Sequence, residues 1–142
     1  MFIWLEEKDF QKQIKADILD RIVQNDTSII LDAERASIVE LQGMLRIKYD
    51  VAAIFSQSGT NRNALVVMLL VDILLYHVHS RLNANQIPDI RKERYDNAIA
   101  TLKDLGAGKM DIGLPLIINA DGETQSPAGM SYQGELKRPN RF

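Results

Sequence analysis

The chain has 142 residues, 46% hydrophobic and 25% charged, which is enough for one buried core and too little for two. A formal charge of -2 supplies no general field that attracts nucleic acid, and the absence of cysteine excludes a disulfide frame, a thiolate nucleophile and a cysteine-based zinc site. The start, 1-MFIWLEEKDF-10, turns acidic at once and lacks the basic region and small-residue cleavage site of a signal peptide.

Periodicity predicts an all-α fold: a small four-helix body, an up-down helical bundle, over residues 1–105, followed by an extended C-terminal arm over 106–142. The first helix is expected over about 9–24, where Phe10, Ile14, Ile18 and Ile22 recur at every fourth position and form one apolar ridge. The polar turn 25-NDTS-28 offers Asp26, Thr27 or Ser28 as the cap of a second helix over about 29–49. Its buried face is expected to carry Ile30, Ala33, Ser37, Leu41, Met44, Leu45 and Lys48, with Glu34, Arg35, Glu40 and Gln42 pointing away. The stretch 50-DVAAIFSQSGTNRN-63 reads as an irregular connection, and loops of that length tend to be functional or mobile.

A third helix, about 64–82, is apolar almost all round. Its most apolar run, 64-ALVVMLLVDILLYHV-78, falls short of the roughly 20 residues that span a bilayer and reads as the central rod of the core. The fourth helix, about 88–105, starts at Pro88 and Asp89 and places Ile90, Tyr95, Ala98, Ile99, Leu102 and Leu105 on one face. Gly106 or Gly108 is expected to end it in the left-handed conformation, as a hinge to the arm. Within the arm only 114-LPLIINA-120 has the character of a short strand, with 121-DG-122 as a turn.

Chemistry is sparse. No HExxH, GxSxG, Walker-type glycine loop or GxGxxG occurs, and 106-GAG-108 reads as a helix stop. The triplet 121-DGE-123 lacks the further oxygen ligands of a calcium loop. His77 and His79, two residues apart, point roughly 200° apart on a helix and cannot share a metal. His79 shares a face with Tyr76 and Asp72, which leaves two readings: half of an acid-base or metal site, or a buried carboxylate paired with a cation. Arg46, Lys48 and Arg94 are the candidate partners of Asp72, and Asp72 with Arg94 is the expected buried pair. No catalytic, cofactor-binding or metal residue is assigned. In the tail, Lys137, Arg138 and Arg141 are candidate phosphate contacts for a small helical nucleic-acid-binding or regulatory protein. Alternatively, Tyr132, Leu136 and Phe142 anchor the arm on a protein partner.

The segments 46-RIKYD-50, 71-VDILLYHVHSR-81 and 93-ERYDNAIATLKDLGAGKMDIGL-114, in this order on successive helices, resemble the phage Mu-like gene product thirty-six family over roughly residues 9–114. Here Lys48-Tyr49 stands where that pattern has Arg-Tyr, and 51-VAAIF-55 follows in place of a short Pro-Leu step. The resemblance implies a non-enzymatic head-tail connector or head-completion subunit, made in the bacterial cytoplasm and carried in the virion neck. It further implies a ring of copies between portal and tail-completion proteins, with DNA passing through, and no cofactor, small-molecule substrate or membrane.

Overall fold

The computed structural model describes residues 2–82 and 86–118. Its described part is all-α, with α1 Glu7–Gln11, α2 Ala16–Val23, α3 Thr27–Leu45, α4 Val51–Ser56, a 3₁₀ turn Gly59–Asn61, α5 Ala64–Leu82 and α6 Asp89–Gly106. Helices α3, α5 and α6 pack on one another as a three-helix core, and α1 and α2 lean on α5. The four helices read from the sequence thus become six.

The predicted first helix is broken at residues 12–15, for a geometric reason. Leu19 lies nine residues after Phe10, which on an unbroken helix puts it on the opposite side, and Val23 stands in the same relation to Ile14. Breaking the helix lets Phe10, Ile14, Leu19 and Val23 all enter the core, whereas Ile18 stays exposed and Ile22 half-buried. The carbonyl of Gln13, freed at the break, accepts from Arg91 Nη2 at 2.6 Å. Helix α2 ends with Gln24 and Asn25 at φ 56° and 60°, and the N–H of Asn25 returns to the Asp20 carbonyl at 3.1 Å. Asp26 then caps α3 by accepting from the Ser28 N–H at 3.0 Å.

Helix α5 is the rod at the centre. Val66, Leu70, Val71, Ile73, Leu74 and Leu75 are fully buried, each contributing about 1.5–3 kcal/mol of apolar burial. By length and composition it is also the one described helix that could cross a membrane, but its neighbours α3 and α6 already cover it. Helix α6 buries Ala98, Leu102 and Leu105, and Ile90, expected on that face, is exposed. The connection 50–63 is largely ordered structure: Asp50 caps α4 through the Ala53 N–H at 3.1 Å, and Asn63 accepts from the N–H groups of Leu65 and Val66 at the start of α5.

The end of α6 separates the roles of its two glycines. Gly108, at φ +79°, takes the left-handed position, with its N–H on the Leu105 carbonyl and that of Lys109 on the Asp104 carbonyl. Gly106 is helical and serves close approach, since a Cβ there would stand 2.5 Å from the Met44 carbonyl oxygen of α3. Past this point, where the sequence suggests a hinge to an arm, the chain folds back over the body. Asn63 Nδ2 donates to the Ile112 carbonyl, Leu114 is buried, and Tyr49 and Leu116 form an isolated antiparallel bridge. The Asp50 N–H donates to the Pro115 carbonyl at 2.9 Å and the Ile117 N–H to that of Lys48 at 3.3 Å. The rest of the predicted strand and the 121–122 turn lie outside the described residues.

Candidate functional site

Three sets of buried or half-buried polar groups organise the body. The first is the pair expected from the sequence. Asp72 is buried on α5, and its Oδ1 accepts from Arg94 Nε of α6 at 2.8 Å. Burial pushes the Asp72 carboxyl above its ordinary value, opposed by the guanidinium groups of Arg94 and Arg91, while burial depresses Arg91. Arg46 and Lys48, the other candidate partners, lie elsewhere, with the Lys48 ammonium over the ring of Tyr49. Next to the pair is a cavity of about 240 Å³ lined by Leu65, Met68, Asp72, Arg94 and Thr101, which includes neither Tyr76 nor His79.

The second set corrects the expected outward position of Glu40. Its carboxylate is half-buried among all three core helices, accepting from the Tyr95 hydroxyl at 2.7 Å and meeting His77 Nε2 at 2.9 Å. Tyr76 stacks on Tyr95 with ring centroids 4.1 Å apart. Burial, and then the hydrogen bond to Glu40, raise the Tyr95 phenol to about 12. His79 bonds through Nδ1 to the Leu75 carbonyl of its own helix. Asp72, Tyr76 and His79 therefore turn to three different partners, and the shared face read from their spacing does not bring them together.

The third set was not anticipated. Glu34, expected on the outer face of α3, has 0% exposure, and its two oxygens accept from the backbone N–H groups of Ile3, Trp4 and Leu5 at 2.7–2.8 Å. Its position repeats the buried line of Ile30, Ser37 and Leu41 at helical spacing, so periodicity alone marks it as inward despite its charge. Arg62, just before α5, is buried and reaches four partners: Asp9 at 2.7 Å, Glu6 at 3.5 Å, and the carbonyls of Trp4 and Gly59. Its guanidinium also lies over the Trp4 ring, whose Nε1 donates to the Gln57 carbonyl at 2.9 Å. Glu34 and Arg62 thus clamp the N-terminal segment against α3 and the connection. Such ties fix geometry more than they add stability.

Among the described residues, no group of three histidine, aspartate or glutamate side chains is arranged to hold a metal ion. Tyr132, Leu136, Phe142, Lys137, Arg138 and Arg141 lie outside the described residues. Fold and site define a small all-α protein whose interior charges hold its own segments in register. The family described as Bacteriophage Mu, Gp36 matches residues 4–131, and the chain belongs to that family of phage proteins. Comparison with curated proteins and with solved structures yields no match.

Proposed function

We propose that the chain is a non-enzymatic structural subunit of a phage or prophage, a head-tail connector or head-completion protein that forms a ring between portal and tail. Membership of the Mu Gp36 family along nearly the whole chain carries the reading. The architecture supports it: Asp72, the carboxylate of the acid-base reading, and the further buried charges Glu34 and Arg62 are all engaged in joining one segment to another. In this reading the partners are portal and tail-completion proteins and further copies of the chain. The protein is made in the host cytoplasm and ends in the virion neck, with DNA passing through the ring.

Removing the gene from an assembling phage is expected to leave DNA-filled heads and separate tails in electron micrographs, with joining restored by the chain supplied in trans. Normal particles from the deletion strain would overturn the reading. If tails instead fail to form, the protein belongs to the tail and not to the head-tail junction.

A further inference from the structure

Among the described residues, two helix faces on opposite sides of the body are left uncovered, and they match in charge and spacing. On α3 the outward stripe runs Arg35, Val39, Gly43 and Arg46, all exposed, with Val39 65% exposed and open space around Gly43. Arg46, the residue after the helix, keeps helical dihedrals and so continues the stripe. On α6 the outward stripe runs Glu93, Asn97, Ala100 and Asp104, also all exposed. In each stripe the two terminal charges are eleven residues apart, which is three turns and roughly 16 Å along the same helix face. The α3 stripe has an arginine at each end, Arg35 with the carboxylate of Asp32 beside it, the α6 stripe has a carboxylate at each end, and the residues between them are apolar, small or uncharged.

The two stripes face away from each other. Helix α6 turns Tyr95 and Gly106 toward α3, to Glu40 and the Met44 carbonyl, and residues 93, 97, 100 and 104 lie on its other side. Helix α3 turns Ser37, Leu41 and Leu45 inward, opposite Val39 and Gly43. Among the described residues Glu93, Asp104 and Arg46 form no ion pair, and Arg35 meets only the exposed Asp32 at 3.2 Å.

We infer that these stripes are the two halves of one contact between copies of this chain, the α3 stripe of one copy lying against the α6 stripe of the next. The inference rests on the ring reading and names the surfaces that build it. A contact between two different faces is heterologous, so it propagates from copy to copy instead of stopping at a dimer, and it closes when the rotation per step allows. Gly43 and Ala100 let the two helix backbones approach, Val39 fills the space between them, and the charges at each end set the register.

The natural chain has no cysteine, so single cysteines report cleanly. Val39→Cys and Ala100→Cys chains, mixed at full length under mild oxidation, are expected to cross-link about tenfold faster than Val39→Cys mixed with Asp20→Cys, because complementary docking raises the effective concentration. Adding Arg35→Glu and Arg46→Glu to the Val39→Cys chain should abolish that advantage, and Glu93→Arg with Asp104→Arg on the Ala100→Cys chain should restore it. Equal rates for the two mixtures, or cross-linking of Val39→Cys with itself at the faster rate, would overturn the inference. The gene-deletion experiment separates this from the connector reading: fast Val39–Ala100 cross-linking in a protein dispensable for joining overturns the connector role and leaves the contact standing.

Discussion

Glu34 ties the N-terminal segment to α3 through a single side chain. Three N–H groups converge on one carboxylate with no exposure to water, so shortening it to alanine orphans all three donors. The expected loss is about 2–4 kcal/mol, capped by the free energy of releasing the N-terminal segment into water. Glu34→Gln keeps the shape but turns an NH₂ toward an N–H, and should cost about 1–2 kcal/mol. Urea unfolding midpoints check both. Tyr95 makes a prediction of opposite character. Its folded phenol holds its proton to about 12, whereas in the unfolded chain it titrates near its ordinary 10. Above 10 the unfolded state therefore binds fewer protons, and stability must fall as pH rises through this window. Tyr95→Phe should flatten that part of the stability profile, and an unchanged slope would show that another group is responsible.

At the scale of elements, the two glycines closing α6 respond differently to the same change. Gly106→Ala would gain helix propensity of about 1 kcal/mol but would drive the new Cβ into a backbone carbonyl of α3. Backbone cannot step aside as a flexible side chain does, so a net loss of about 1–3 kcal/mol is expected. Gly108→Ala costs about 1 kcal/mol for its left-handed φ, without disturbing α3. Thermal unfolding of the two variants checks the order. The long helices were legible from the sequence because α3, α5 and α6 are each governed by one apolar face or by apolarity all round. The break between α1 and α2 was not: which of two competing stripes enters the core depends on the neighbours they meet. Helix α4 carried a local signal in Asp50 followed by an apolar run. Arg62 carried none, since its partners Asp9 and Trp4 lie more than fifty positions away. The Asp72 and Arg94 pair was legible because both residues sit on helices whose faces periodicity could orient.

For the whole molecule, part of the segment expected as an arm from residue 106 is attached to the body: residues 112–117 bond to Lys48, Asp50 and Asn63, and Leu114 is buried. A chain ending at 118 should therefore be more stable than one ending at 105 by about 2–4 kcal/mol, through the retained Leu114 burial and paired backbone groups. Calorimetry distinguishes the two, and equal stability would put the start of the arm at the end of α6. The Arg62 clamp has a further consequence for how the molecule comes into being. Asp9 precedes its cation by 53 residues, and Leu5 precedes the carboxylate that receives its N–H by 29. Phe2, Trp4, Leu5 and Phe10 leave the ribosome well before either partner is available, an apolar stretch with nowhere native to go. During synthesis that stretch stays without the two charges that clamp it until Glu34, and after it Arg62, has emerged.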